Sequence, residues 1–253
     1  MKNSAQAVRS EDLTFVQAVA ETVFEAYDGK GIKWVHPDGS NVWKINSGQR
    51  AGVVGVESNG RRCCAKLFYD RRIQACVRNA LGFSKAKRAF NNACRLKTLG
   101  VGCPEMIGLA RLGIFGPFIL VAELCDDAVR VDHYIHRKEI STEGVINFAS
   151  FVRWMHERGV SHIDFSLRNI LMRSRAGQME FLLLDYEDVR FSRNISRRTR
   201  IGNLHHMNER ALKIIPLKWR LFFLREYLQG ESVREWVDEL NGMILRHPSK
   251  YTD

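Results

Sequence analysis

Apolar positions recur at helical spacing near both ends of the chain and at strand spacing in between. Leu13, Phe15, Val16, Ala18, Val19, Val23, Phe24 and Ala26 form a stripe that predicts a helix over 11–28. Shorter apolar runs follow at Ile32–Val35, Val42–Ile45, Val53–Val56 and Arg62–Phe68, separated by Pro37-Asp-Gly39, Asn46–Gly52 and Asn59-Gly60. Pro-Asp-Gly and Asn-Gly are turn formers with a backbone reason, so these runs predict an antiparallel sheet built from hairpins. Ala86, Ala89, Phe90, Ala93 and Leu96 then fall on one face of a helix from about Ser84 to Leu99. Ala110–Pro117 reads as a hairpin, and Phe118–Cys125 as a buried strand that runs into polar Asp126-Asp127. A long amphipathic helix from Thr142 ends at Gly159. Two further helices are expected at about 207–228 and 231–246, with Trp219, Leu221, Phe222, Phe223, Leu224 and Tyr227 mainly in the core.

The densest chemistry lies between the long helix and the tail, in SHIDFSLRNILMRSRAGQMEFLLLDYE, residues 161–187. Asp164 follows His162 by two positions, Asn169 follows Asp164 by five, and Asp185 closes the apolar run Phe181–Leu184. Ile170–Met172 and Phe181–Leu184 predict two strands joined by a polar turn containing Gly177. A loop, a hairpin and an Asp at a strand exit would bring Asp164, Asn169 and Asp185 around one small volume. This is the spacing of a phosphoryl-transfer loop. One carboxylate orients and deprotonates a hydroxyl, while an amide oxygen and a second carboxylate hold Mg²⁺ against ATP phosphates.

The stretch resembles the protein-kinase-like superfamily and, within it, the Kdo/WaaP lipopolysaccharide kinase family. The likeness extends through Arg95–Pro104, Trp154–Val160, Asp185–Phe191 and the Arg-rich run ending Ile201-Gly-Asn203-Leu, over about two-thirds of the chain. It implies an α+β, protein-kinase-like two-lobed fold. Residues 1–124 would be a small antiparallel-sheet N-lobe that clamps nucleotide phosphates, and 125–253 a mainly helical C-lobe with the catalytic, metal and acceptor sites. It implies an ATP-dependent kinase of an inner-core sugar, with ATP and Mg²⁺ as cofactors. Lys66, inside the apolar strand Cys64–Phe68, matches the lysine that grips the α- and β-phosphates. Ser47 and Gly48 begin the turn expected to cover the phosphates, and backbone at Glu123 and Cys125 is expected to meet adenine. Asp164 is the expected catalytic residue, Asn169 and Asp185 the metal ligands, and His162 the scaffold of the loop. Arg168, Arg197, Arg198 and Arg200 are candidate acceptor contacts, because clustered guanidinium groups suit a small anionic substrate.

The chain departs from the family pattern in three places. The full GxGxxG pattern is missing from the loop at 46–52, and Asp185-Tyr186-Glu187 lacks the Gly of the usual Asp-Phe-Gly. Ala89 stands where the helix normally supplies a Glu to the strand lysine. These departures motivate a second reading, a non-catalytic pseudokinase serving as a binding module. A kinase of another small molecule is a further alternative, since fold does not fix substrate.

Charge narrows the partners. The net charge is +11, and residues 71–104 contain no Asp or Glu, while 71–97 hold eight Lys or Arg. Such a surface attracts polyanions: an anionic glycolipid, the inner membrane face, or nucleic acid. No nucleic-acid-reading motif accompanies it, so no specific nucleic acid is expected. The six cysteines lack metal-site spacing and read as reduced, buried thiols. The first residues place acids inside the first apolar patch, unlike a secretion signal. A cytoplasmic protein, peripheral at the inner membrane, is the expectation.

Overall fold

The computed structural model describes residues 4–26, 42–47, 51–68, 84–111, 116–137 and 140–246. The expected hairpin around Pro37, the turn Gly48–Arg50, the basic stretch 71–83 and the tip of the 110–117 hairpin lie wholly or largely outside the described residues. The chain divides into two compact units, one of Met1–Lys97 with Pro104–Cys125 and the other of Thr98–Cys103 with Asp126–Asp253.

Among the described residues, the first unit contains an antiparallel sheet with the helix Leu13–Glu25 packed against it. Its strands are β1 (Ser4–Ala7), β2 (Val42–Ser47), β3 (Ala51–Ser58), β4 (Arg61–Phe68), β5 (Met106–Arg111) and β6 (Phe118–Glu123), in the order β1-β5-β6-β4-β3-β2. Asn59 and Gly60, both at positive φ (52° and 69°), make the two-residue turn between β3 and β4 that an Asn-Gly pair favours. Helix α1 (Leu13–Glu25) lays Phe15, Val16, Val19, Ala20 and Val23 onto Val54, Val56, Cys63, Ala65, Leu67, Ile119 and Val121. Side chains alternate along a strand, so burying Cys63, Ala65 and Leu67 under α1 turns Cys64, Lys66 and Phe68 to the other face. Burial pushes the Cys63 and Cys64 thiols up to about 12, so both are protonated. Arg61 lies over the Phe15 ring and pairs with Asp12 at 2.6 Å, fixing the start of α1 to β4.

Helix α2 (Lys85–Thr98) starts on Ser84, whose Oγ accepts from the Lys87 N–H at 3.0 Å, and is followed by Gly100 at φ 69°. Ala86, Ala89, Phe90, Ala93 and Leu96 are buried, and Lys85, Lys87, Arg88 and Arg95 are exposed. The stripe and its basic back are those expected from the sequence. The helix carries no acid, and Ala89 is 0 % exposed.

The second unit comprises β7 (Val129–Arg130), α3 (Val131–Arg137), α4 (Thr142–Glu157), β8 (Val160–His162), β9 (Ile170–Arg175), β10 (Gln178–Leu183), β11 (Val189–Phe191), α5 (Arg197–Ala211), α6 (Leu217–Leu228) and α7 (Val233–Arg246). Two small sheets, β10-β9-β7 and β11-β8, carry the loops of interest. The β9–β10 turn is tighter than its polar sequence suggests. Only Ala176 and Gly177 turn, at φ 49° and 78°, so Arg173–Arg175 remain in the strand.

Among the described residues, the tail holds three helices where the sequence predicted two. Helix α5 begins inside the Arg-rich run because Ser196 caps it, its Oγ accepting from the Thr199 N–H at 3.2 Å. Pro216 then separates α5 from α6, since proline has no N–H to continue the earlier helix and disfavours helical backbone before it. Of the expected core residues, Leu224 and Tyr227 are buried, Trp219, Phe222 and Phe223 half-buried, and Leu221 exposed. Among the described residues, no helix is long and apolar enough to cross a membrane.

Candidate active site

The loop between β8 and β9 carries Asp164 and Asn169, and β10 delivers Asp185. Each is fixed by a different device. Helix α4, capped by Ser141 and ended at Gly159 with φ 74°, hands the chain to β8. There Val189–Phe191 pair with Val160–His162, and the Ile163 N–H donates to the Asp188 carbonyl at 2.9 Å. A short 3₁₀ turn, Leu167–Asn169, closes through the Asn169 N–H to the Ser166 carbonyl at 3.0 Å. The Asn169 Nδ2 donates to the Asp164 backbone carbonyl at 2.9 Å and to its Oδ2 at 3.3 Å. One amide therefore ties the two ends of the loop together.

Asp185 lies on the next connection. The Leu184 N–H donates to the Asn169 carbonyl at 2.8 Å, so the strand exit is stitched to the loop. Asp185 itself takes left-handed backbone, φ 52° and ψ 53°, a conformation that costs most residues energy and that Asp tolerates comparatively well. His162 Nε2 lies 3.1 Å from both the Leu184 and the Asp185 carbonyl oxygens. An N–H facing two carbonyls donates to both, which makes Nε2 the protonated nitrogen. The ring thereby holds the turn that presents Asp185.

A buried chain of hydrogen bonds braces His162 from behind. Arg200 Nε donates to the Tyr227 hydroxyl at 2.6 Å. That hydroxyl lies 2.7 Å from His156 Nδ1 and donates to it, and His156 Nε2 faces the Asn203 Oδ1 at 3.2 Å. Asn203 completes the chain by donating from Nδ2 to the His162 carbonyl at 2.9 Å while its Oδ1 accepts from the His162 N–H at 3.2 Å. In this arrangement His156 is neutral, with its proton on Nε2. Burial lowers its pKa to about 4, and the Arg200 charge acts in the same direction against the Asn203 bond.

Between about pH 6.5 and pH 4 the unfolded chain binds a proton at His156 that the folded chain refuses, so stability falls as pH falls through that window. The full difference is about 3 kcal/mol. Urea midpoints measured from pH 7 to 4.5 are expected to drop less steeply in His156→Gln than in the wild type. Equal slopes would remove His156 from the account.

Asp164 is half-exposed, and two donors reach its carboxylate. His206 Nε2, from α5, lies 2.7 Å from Oδ1, and Asn169 reaches Oδ2. Partial burial acts to raise the Asp164 pKa. The hydrogen bond and charge of His206, with the Asn169 amide, outweigh it and hold the carboxyl below its usual range. The group is an anion at neutral pH, the form able to take a proton from a hydroxyl.

The remaining candidates are distributed as follows. Lys66 sits mid-strand in β4, opposite Val53 and Leu120, half-buried, with its Nζ 5.3 Å from the centre of the Phe68 ring. Ser47 ends β2 opposite Gly52, and Gly48 lies outside the described residues. Glu123 ends β6, its N–H donating to the Glu105 carbonyl at 2.8 Å, and Cys125 follows two residues on. Arg168 and Arg198 are exposed. Arg197 and Arg200 are engaged within the helical tail. Arg197 pairs with Glu231, Glu235 and Glu239, Arg200 bonds Tyr227 and Glu231, and both guanidinium groups lie over the Trp236 ring. Arg197 is nonetheless exposed, as are Arg168 and Arg198, and Arg200 is half-buried.

Sequence reasoning missed His206, Glu209 and the clamp made by Asn203. The signal was their spacing, since positions 203, 206 and 209 share one helical face. It went unread because the helix was expected to begin at about 207.

A family model for the lipopolysaccharide kinase (Kdo/WaaP) family matches residues 38–227. The chain belongs to the lipopolysaccharide kinase family. The match spans the β2–β6 sheet, the Asp164 loop, Asp185 and most of the helical tail. Members are kinases, so the activity is ATP-dependent phosphate transfer to a hydroxyl. The solved structure of WaaP in complex with acyl carrier protein is similar to this chain, with a TM-score of 0.57 and 18 % identity, over 83 % of this chain and 88 % of that one. It shares the protein-kinase-like fold. A search of curated proteins found no match. In all, 1345 solved chains match, so the fold by itself selects no acceptor.

Proposed function

We propose that this lipopolysaccharide kinase phosphorylates a sugar of the inner core, with Asp164 accepting the proton of the attacked hydroxyl. The observation that carries the proposal is the Asp164 carboxylate. It is held anionic by His206 and Asn169 in a loop whose backbone is stitched to the Asp185 turn.

The metal proposed for the site is Mg²⁺. With its Nδ2 engaged by Asp164, Asn169 has an amide oxygen to offer a cation, and Asp185 offers a carboxylate. No group of three or more His, Cys, Asp or Glu among the described residues could hold a metal alone. That fits an ion bound by one or two protein oxygens together with substrate phosphates. When bound, Mg²⁺ neutralises charge on the β- and γ-phosphates. Lys66 is proposed to meet the α- and β-phosphates, and backbone at Ser47–Gly48 and at Glu123 and Cys125 the rest of the nucleotide. The exposed cations Lys85, Lys87, Arg88 and Arg95 along α2 are proposed to meet the anionic glycolipid or the inner membrane face. The proposed location is accordingly cytoplasmic and peripheral. The test is product analysis: purified core lipopolysaccharide incubated with enzyme and ATP gains a phosphate ester on an inner-core sugar. Phosphate found only on another small molecule would replace this acceptor.

An acyl carrier protein is proposed as a second partner. The WaaP structure contains one, and the second unit here carries a half-open apolar pocket of about 180 Å³ lined by Val145, Phe148, Leu167, Met172, Met207 and Leu224. A carried acyl chain would suit such a pocket. Purification of the native complex followed by intact mass analysis is expected to show an acylated carrier protein with the kinase. A chain that purifies alone and binds no added acylated carrier protein contradicts this partnership.

A further inference from the structure

His206 is flanked by acids on both sides, with Nε2 2.7 Å from Asp164 Oδ1 and Nδ1 2.8 Å from Glu209 Oε2. Glu209 is three residues further along α5, so helical spacing alone delivers it to the ring. Each ring nitrogen therefore faces a carboxylate oxygen, and because a carboxylate only accepts, Nε2–H is the donor to Asp164. Neither His206 nor Asp164 is packed into the core, at 35 % and 48 % side-chain exposure. A purely structural histidine in this unit looks different. His156 is 4 % exposed and bonds a hydroxyl and an amide. Holding these polar side chains in line, His206 and Asp164 half-exposed and Glu209 at 20 % side-chain exposure, costs rotamer freedom and buries little apolar surface. The fold stabilises the line nonetheless.

We infer that His206 is the positioning residue for the reaction, with Glu209 orienting its ring. This rests on the phosphotransfer reading above. His206 fixes Asp164 by its Oδ1, through the shorter of the two carboxylate bonds. Oδ2, reached by Asn169 at 3.3 Å, is the oxygen assigned to the incoming hydroxyl. In the step, the acceptor oxygen forms its bond to the γ-phosphorus as the bond to the ADP oxygen breaks. The hydroxyl proton passes to Asp164 Oδ2 and then to water. His206 exchanges no proton. Its Nε2–H stops the carboxylate from rotating away from the hydroxyl, and positioning of this kind accounts for a large share of phosphoryl-transfer catalysis.

The test compares His206→Ala, His206→Gln and Glu209→Gln in steady-state phosphate transfer, with thermal midpoints measured alongside. His206→Ala is expected to lower kcat about 10- to 100-fold and leave KM for ATP within about twofold. His206→Gln presents an amide N–H at similar reach and is expected to recover most of that loss. Glu209→Gln is expected to show a smaller drop in kcat at an unchanged thermal midpoint. Should His206→Ala fail to fold, Glu209→Gln decides. A kcat within twofold of wild type in His206→Ala, or in Glu209→Gln if His206→Ala does not fold, overturns the inference. So does a His206→Gln no better than a folded His206→Ala. An inactive wild type overturns the phosphotransfer reading and this inference together, whereas an active wild type with indifferent variants overturns this inference alone.

Discussion

Asp164→Asn is expected to lower turnover about 10²- to 10⁴-fold, the range for removing a general base, while ATP affinity stays within about threefold. Asparagine preserves the size of the side chain, and its amide oxygen can still accept from His206 Nε2. What disappears is the capacity to take a proton. Because Asp164 is proposed to meet the acceptor hydroxyl and not the nucleotide, a calorimetric titration with MgATP should barely change. Loss of ATP binding in step with turnover would mean that Asp164 holds the metal, and the assignments of Asp164 and Asp185 would exchange. Turnover within tenfold of wild type would mean that another group accepts the proton.

Asp185→Asn is expected to fail differently. Asn tolerates left-handed backbone about as well as Asp, so the turn at φ 52° and its carbonyl contacts with His162 should persist, and with them the fold. The lost element is the negative charge proposed to face the cation. MgATP affinity is expected to fall about 100-fold, equivalent to about 3 kcal/mol, with turnover falling below detection. The diagnostic is the contrast between the two variants under the same titration: one binds nucleotide and does not turn over, the other does neither. Unchanged MgATP binding in Asp185→Asn would remove Asp185 from the metal site.

Much of the architecture was legible because the signals were local. Asn59-Gly60 specified a hairpin, the 86–96 stripe a helix, and the apolar runs on either side of Gly177 a second hairpin, and all three form. What escaped was set by single capping or turn residues, or by distant packing. Ser196 starts α5 within a run of arginines, and Ala176 adopts positive φ that composition does not announce. The four-residue β1 takes its register from β5, more than 100 positions away. The candidate site divided along the same line. Asp164, Asn169 and Asp185 were readable from spacing. His206 could be placed beside Asp164 only once Asn203, on the same face of α5, was seen to bind the His162 backbone. Ala89 makes the opposite point: its sequence position raised the question of a missing acid, and in the structure it is a fully buried alanine on a helix that carries none.

Asp164 is proposed to serve Mg²⁺-dependent phosphate transfer to lipopolysaccharide core. The most direct test follows transfer of labelled γ-phosphate from ATP to purified core, with and without Mg²⁺, for the wild type and Asp164→Asn. Label is expected in the core only with wild type and Mg²⁺ together, and ATP binding is expected intact in the variant. Equal labelling by the two proteins, or no labelling by the wild type under any metal condition, would contradict this assignment.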